Sequence, residues 1–169
     1  MMILNNLFSL EGKTAVVTGG STGLGLMATA GLAAAGAKVL IVSRKLENCE
    51  KAANKINNCN FKGQVVPFKG DLSSEAGINK IVDELTTKNS ELHVLVNNAG
   101  RTWGSNFGSF PYDAWEKVLN LNVSALFHLT QKLVPLLAAS AGRDSPTRVI
   151  NIGSVMGEVP MGDGAYSYA

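Results

Sequence analysis

Two hydroxyl side chains near the end of the chain could do chemistry together. Ser154 follows the strand-like run Arg148-Val149-Ile150-Asn151-Ile152, and Tyr168 lies 14 residues further on. A hydroxyl can hold a substrate oxygen while a phenol supplies a proton, which suits the chemistry of a carbonyl group. A free phenol titrates near pH ~10, so a neighbouring cation would favour phenolate and let it act as a base in the oxidative direction. The sequence stops at Ala169 and places no such cation after Tyr168. Spacing alone leaves Tyr166 as a rival for the phenol. Asn122 is a third candidate. It lies in Leu119-Asn120-Leu121-Asn122-Val123, within a helical pattern where Asn is a poor helix former. A buried Asn needs partners, so its amide could hold a water or a backbone group near a site.

A second set of residues suits a phosphate-bearing ligand. The stretch Thr18-Gly19-Gly20-Ser21-Thr22-Gly23-Leu24-Gly25 follows the apolar run Thr14-Ala15-Val16-Val17 and opens a run of helix formers. That order reads as strand, tight turn, helix. A turn without Cβ atoms lets the backbone approach a pyrophosphate closely, and the helix behind it aims free N–H groups at the phosphates. Gly19, Ser21, Thr22, Gly23, Leu24 and Gly25 form the candidate cradle. The glycine spacing differs from G-x-G-x-x-G, and the absence of a following Lys excludes the Walker pattern.

The residues beyond later strands extend this set. A site for NAD commonly has an acid about 20 positions past the turn, bonded to the ribose 2′-hydroxyl. This chain has Ser43-Arg44-Lys45 there instead. Two cations and no acid suit a 2′-phosphate, so NADP(H) is expected over NAD(H). The plainer alternative is that Arg44 and Lys45 are solvated residues at a helix start. Asp71, followed by Leu72, could accept a bond from an adenine amino group or cap the turn before the next helix, and the two roles are compatible. Asn97-Asn98-Ala99-Gly100 could fix a loop beside the two halves of the dinucleotide.

The elements that must position these residues follow from periodicity. Strand-like runs lie at 14–18, 38–42, 64–68, 93–96 and 148–152, and 38–42 is a continuous apolar run, as expected of a parallel strand covered on both faces. Helical patterns at 23–35, 46–57, 74–88 and 114–139 lie between them. The first helix is apolar or small nearly all round and is expected to be buried. Asp113 is expected to cap the long helix, with Glu116 in the reciprocal position. Strict alternation gives an α/β, Rossmann-type doubly wound parallel sheet, here truncated after the fifth strand. In such folds ligands bind beyond the carboxyl ends of the strands. The glycine turn, Ser43-Arg44, Asp71-Leu72, Asn97 to Gly100 and Ser154 all fall at such ends, and their convergence is stronger than any single motif.

Composition bounds the remaining possibilities. A chain of 169 residues suits one domain. Its 15 Lys and Arg against 13 Asp and Glu leave a formal charge of only +2, which gives no reason to expect nucleic acid. Cys49 and Cys59 do not form a metal-ligand spacing, and no other residue is placed to make a set with His93 or His128, so no metal is expected. No apolar run reaches the ~18 residues of a membrane span. With no convincing signal peptide and no disulfide framework, the cytoplasm is the default location.

Taken together, the motifs resemble the classical short-chain dehydrogenase/reductase family over roughly residues 8–169. Thr18-Gly19-x-x-x-Gly23-x-Gly25 matches its cofactor signature, and Asn97-Asn98-Ala99-Gly100 matches its second signature. Asp71 matches the acid that contacts adenine, and Asn122, Ser154 and Tyr168 match three of its four catalytic residues. Ala165-Tyr166-Ser167-Tyr168-Ala169 is similar to the form found in rhamnolipid-type 3-oxoacyl reductases, where the second tyrosine is catalytic. The resemblance implies NADP(H)-linked interconversion of a ketone and a secondary alcohol, a small-molecule substrate, and homo-oligomers among complete homologues. The family's catalytic Lys would fall just past Ala169, as would its helix and the last two strands. The 169 residues are therefore expected to be one incomplete dinucleotide-binding domain, with exposed apolar surface, marginal stability and little or no turnover. A catalytically inactive dinucleotide-binding or protein-interaction fragment is the competing expectation.

Overall fold

The computed structural model describes residues 7–157 and 165–166. Its centre is a five-stranded parallel sheet built from β1 (Thr14–Thr18), β2 (Lys38–Ser43), β3 (Gln64–Lys69), β4 (Val94–Asn97) and β6 (Arg148–Asn151). The spatial order is β3-β2-β1-β4-β6. A small antiparallel pair, β5 (Gly104–Ser105) with β7 (Ala165–Tyr166), stands apart from it. The helices are α1 (Gly23–Ala34), α2 (Leu46–Asn57), α3 (Glu75–Lys88), α4 (Tyr112–Leu119) and α5 (Leu126–Ser140). A π-helical segment, Asn120–Ala125, joins the last two.

The apolar runs of β1, β2 and β4 are continuous because these strands are covered on both faces, whereas all four residues of β6 are exposed, contrary to the burial expected of that strand. Successive side chains of a strand point to opposite sides, so β1 feeds two cores. Val16 packs with Leu40, Leu95, Ile81, Leu129 and Leu133 on one face. Ala15 and Val17 pack with Val39, Ile41, Cys49 and Ile56 on the other. Pro67 lies within β3, which is an edge strand, so its missing N–H removes no bond to an inner neighbour. β1 pairs with β2 on one side and β4 on the other, and the chain reverses its direction of winding there. The carboxyl ends of β1 and β4 therefore flank the switch-point crevice.

Two local expectations are corrected. α1 is not buried all round: it packs through Gly25, Thr29 and Ala33, while Leu24 and Met27 are 66 % and 70 % exposed. Its small residues let the helix lie close to the sheet, which turns the large apolar ones outward. Asp113 does not cap the long helix. α4 begins at Tyr112 behind Pro111, and Asp113 sits within the first turn paired with Lys117. Pro111 is held extended and has no N–H of its own to satisfy, so the helix starts ahead of the acid.

At the amino ends of the strands, His93 clamps its neighbours. Its backbone N–H donates to the Thr14 carbonyl at 2.8 Å, and its carbonyl accepts from Arg148 N at 2.8 Å. Its Nδ1 accepts from Thr14 N at 3.1 Å, which assigns the ring proton to Nε2. Burial, and then the Lys13 charge, push the imidazole below its ordinary value of 6.5, against the weaker pull of Glu91. A depressed histidine leaves the unfolded chain binding more protons, so this contribution is complete above pH ~6.5 and is lost as pH falls below it. His93→Asn keeps an acceptor that cannot titrate. Thermal melts between pH 7.5 and 5 should show a shallower acid loss for that variant, and identical pH profiles would refute the clamp.

β6 forms the other edge of the sheet among the described residues, with Val149 and Ile150 each 43 % exposed. Phe127 and Val134 on α5 are also exposed. No helix among the described residues is long and apolar enough to cross a membrane.

Candidate functional site

The glycine turn and the loop after β4 interlock through one threonine. Thr18 Oγ1 accepts from the backbone N–H groups of both Asn98 and Ala99, each at 2.9 Å, and donates to the Val96 carbonyl at 3.3 Å. Its bonding capacity is fully used. Asn98 Nδ2 returns a bond to the Thr18 carbonyl at 2.9 Å. Gly19 turns in the left-handed region with φ of 66°, and its N–H donates to the Val42 carbonyl at 2.8 Å. The turn is thus tied to both strands that flank β1.

Close packing explains Gly25. A Cβ there would lie 2.3 Å from the Gly19 carbonyl oxygen and 2.4 Å from Asn98 Nδ2. The start of α1 can sit against the turn only without a side chain. The Thr29 hydroxyl, one turn further along α1, lies 2.8 Å from the Gly25 carbonyl and 3.2 Å from that of Gly20. Thr18 and Thr29 hold the turn; Thr18 opens the glycine motif but its side chain was given no role from the sequence, and Thr29 was not singled out. Thr29 carried a signal, being the one polar residue of α1.

A cleft of about 350 Å³ opens beyond these strand ends. Gly19, Thr22, Leu24 and Gly25 line one wall, and Asn98, Ala99 and Gly100 continue it. Ser43 and Arg44 stand at the end of β2, with Asp71 and Leu72 beyond β3. Ser21 is only 8 % exposed and lies beneath the turn rather than among the lining residues. Gly23 is exposed, with φ of 52° and open space where a Cβ would point.

Asp71 already serves its own loop. Its Oδ1 accepts from Ser73 N at 2.9 Å. That bond is the chief reason its carboxyl titrates below the usual range, with the Ser73 hydroxyl and the Arg44 charge adding to it and partial burial opposing. The turn-forming role is therefore in place. Cys49 lies under the same end of the sheet, near Ser21 and Ser43, and burial pushes its thiol upward. A protonated buried thiol is a packing residue.

A second hollow, also about 350 Å³, adjoins the first. Ser154 is exposed at its rim, and its Oγ accepts from Met156 N at 3.1 Å. That leaves the hydroxyl proton available for donation. Asn122 sits in the π-helical segment, where the extra residue per turn loosens the ladder, an arrangement frequent at functional sites. Its Oδ1 accepts from Arg101 N and its Nδ2 donates to the Arg101 carbonyl, both at 2.9 Å. Of the two partners expected for Asn122, a backbone group is the one observed. Asn97 is buried, and its Nδ2 lies 2.9 Å from both Thr130 Oγ1 and Asn151 Oδ1. It ties β6, and so the approach to Ser154, to α5. Tyr168 lies outside the described residues, as do residues 158–164. The backbone of Tyr166 pairs with Gly104.

Comparison with known proteins agrees with this geometry. The family model for short chain dehydrogenases matches residues 13–169. The chain is 46 % identical over 161 residues to the rhamnolipids biosynthesis 3-oxoacyl-[acyl-carrier-protein] reductase of Pseudomonas aeruginosa, covering 95 % of this chain and 62 % of that protein. The solved RhlG/NADP active-site complex from Pseudomonas aeruginosa superimposes with a TM-score of 0.87 at 46 % identity, over 95 % of this chain and 62 % of the other. A metagenomic short-chain oxidoreductase in complex with NADP superimposes with a TM-score of 0.80 at 29 % identity, over 92 % and 68 % of the two chains. The chain thus spans under two thirds of the length of the curated reductase it matches. Its cofactor-type turn, its sheet order and these likenesses coincide over nearly its whole length, and the chain belongs to the short-chain dehydrogenase/reductase family.

Proposed function

We propose that this chain is the nucleotide-binding and partly catalytic portion of an NADP(H)-linked oxidoreductase that interconverts a ketone and a secondary alcohol. The observation that carries the reading is the pair of adjoining hollows at the switch point. One is shaped by a turn that a single Cβ would fill and is flanked by Arg44, and the other is rimmed by Ser154. Solved relatives of this chain are NADP complexes, which supports the choice of cofactor. In this reading residues 1–169 are a single dinucleotide-binding domain, incomplete beside the longer relatives. We further propose a cytoplasmic protein that self-associates when complete.

The residues present fit the group. The Gly19–Gly25 turn would hold the pyrophosphate, and Ser43 with Arg44 the 2′-phosphate, by charge and by the fork geometry of the guanidinium. Asp71 and Leu72 would flank the adenine, and Asn98 to Gly100 the central part of the cofactor. When bound, the nicotinamide supplies or accepts the hydride. Ser154, with its proton free, would donate to the substrate oxygen and stabilise the charge that grows there. Tyr168 would exchange the proton with that oxygen. Asn122, engaged by the Arg101 backbone, would hold the loop that separates the hollows.

Arg44→Gln should weaken NADPH binding by about tenfold or more and leave NADH binding little changed. Equal effects on both nucleotides would remove the 2′-phosphate assignment. In an enzyme that turns over, Ser154→Ala should lower kcat by about 100-fold or more with NADPH affinity retained. The 62 % coverage of the reductase favours a second reading for these 169 residues alone: nucleotide binding without turnover. Saturable NADPH binding with no reduction of a panel of ketones would single it out.

A further inference from the structure

We infer that Arg101 selects a substrate bearing an anionic oxygen group, a carboxylate or a phosphate, beside its reacting carbonyl. The inference deepens the oxidoreductase reading and rests on it. Arg101 follows Gly100 at the junction of the two hollows and lines both. Asn122 fixes its backbone from two directions at 2.9 Å, so the root of the side chain is held against the π-helical segment. The guanidinium itself is exposed and makes no hydrogen bond or ion pair among the described residues. Arg148, by contrast, donates to the Pro146 carbonyl at 2.9 Å, while Arg44 of the cofactor cleft is, like Arg101, without a side-chain hydrogen bond or ion pair among the described residues.

The chemistry of the second hollow gives this cation a purpose. Among its described lining residues Arg101 alone is charged, and the rest are apolar, small, hydroxyl or amide groups. None of its described lining residues is a carboxylate that competes for the fork. The one acid among the described lining residues of the two hollows is Asp71, in the cofactor cleft, where its Oδ1 is taken by Ser73. A planar guanidinium on a fixed root matches the paired oxygens of a carboxylate or phosphate. A neutral ketone closing the hollow would strip water from that charge and return nothing, whereas an oxo acid or a phosphorylated ketone would pair with it. The same positive charge, lining the hollow that Ser154 rims, would also favour the negative charge that grows on the carbonyl oxygen.

The test needs binding and no turnover. The chain is saturated with NADP+, and ligand-observed NMR measures its affinity for matched anionic and neutral ketones. Acetoacetate and levulinate are compared with their methyl esters, and dihydroxyacetone phosphate with dihydroxyacetone. At least one anion should bind about tenfold or more tightly than its neutral partner, the gain expected of one charge-assisted pair. In Arg101→Gln that ratio should fall to within about threefold of unity, and the pair showing the largest ratio tells carboxylate from phosphate. The Arg101 side chain makes no hydrogen bond or ion pair among the described residues whose loss would disturb folding, and an NADPH titration of the same samples reports on the cofactor cleft. Anions that bind no better than their neutral partners, or a preference that survives Arg101→Gln, would overturn the inference. Weakened NADPH binding with an unchanged ratio would also overturn it, moving Arg101 to the cofactor. Loss of NADPH binding by the unsubstituted protein would instead sink the oxidoreductase reading beneath it.

Discussion

Gly25→Ala should abolish dinucleotide binding. The added methyl carbon would stand 2.3 Å from the Gly19 carbonyl oxygen and 2.4 Å from Asn98 Nδ2, well inside contact. Neither neighbour can give way cheaply. Gly19 is held by its bond to the Val42 carbonyl, and Asn98 by its bond to the Thr18 carbonyl. The start of α1 must then move off the turn, and the N–H groups it aims at the cleft move with it. Overpacking of this kind costs about 1–3 kcal/mol in stability, occasionally more. A displacement of about 1 Å in an anion cradle should cost ~100-fold or more in NADPH affinity, because the bonds are short and directional. Gly31→Ala is the control on the same helix. It has open space for a Cβ and should raise stability by about 0.5–1 kcal/mol. Isothermal titration and thermal melts of the two variants check this, and binding by Gly25→Ala within threefold of the parent would contradict it.

Thr18→Val should produce the largest loss of stability. Valine fills the same volume at the end of β1 but removes the acceptor for the Asn98 and Ala99 N–H groups. Each orphaned donor costs about 1–3 kcal/mol, so the pair costs about 2–6 kcal/mol, against a total stability of about 5–15 kcal/mol for a typical domain. The loop after β4 would loosen from the glycine turn, and NADPH binding would weaken with it. Thr18→Ser keeps the hydroxyl and should lose about 1 kcal/mol or less, with binding retained. Melting temperatures for the parent, serine and valine proteins should fall in that order. A valine variant that melts with the serine one would show that the hydroxyl does not hold the loop.

The sheet was legible because its inner strands are covered on both faces, which removes alternation and leaves runs such as Val39 to Val42 unbroken. The strand ends were legible because polar residues and glycines interrupt those runs where a ligand or a turn needs them. Three features were not legible, each for a physical reason. The Asp113 and Glu116 spacing matches a capping box, but Pro111 sets the helix start before that side chain can act. The apolar surround of α1 suggests burial, yet packing against the sheet favours its smallest residues and leaves Leu24 and Met27 outside. The poor helix propensity of Asn122 shows that the position is unusual, but its two bonds go to Arg101, 21 residues away in sequence, and no local pattern marks that partner or the π-helical turn. The same holds for Thr18, whose partners lie about 80 residues further on.

The central claim is that the crevice between β1 and β4 is an NADP(H) site built by these residues. The most direct measurement is a titration of the 169-residue protein with NADPH and with NADH, with circular dichroism recorded on the same samples. We expect a folded protein that binds NADPH saturably and about tenfold or more tightly than NADH, from the charge of Arg44 beside the 2′-phosphate. A folded protein that binds neither nucleotide, or both equally, would contradict it.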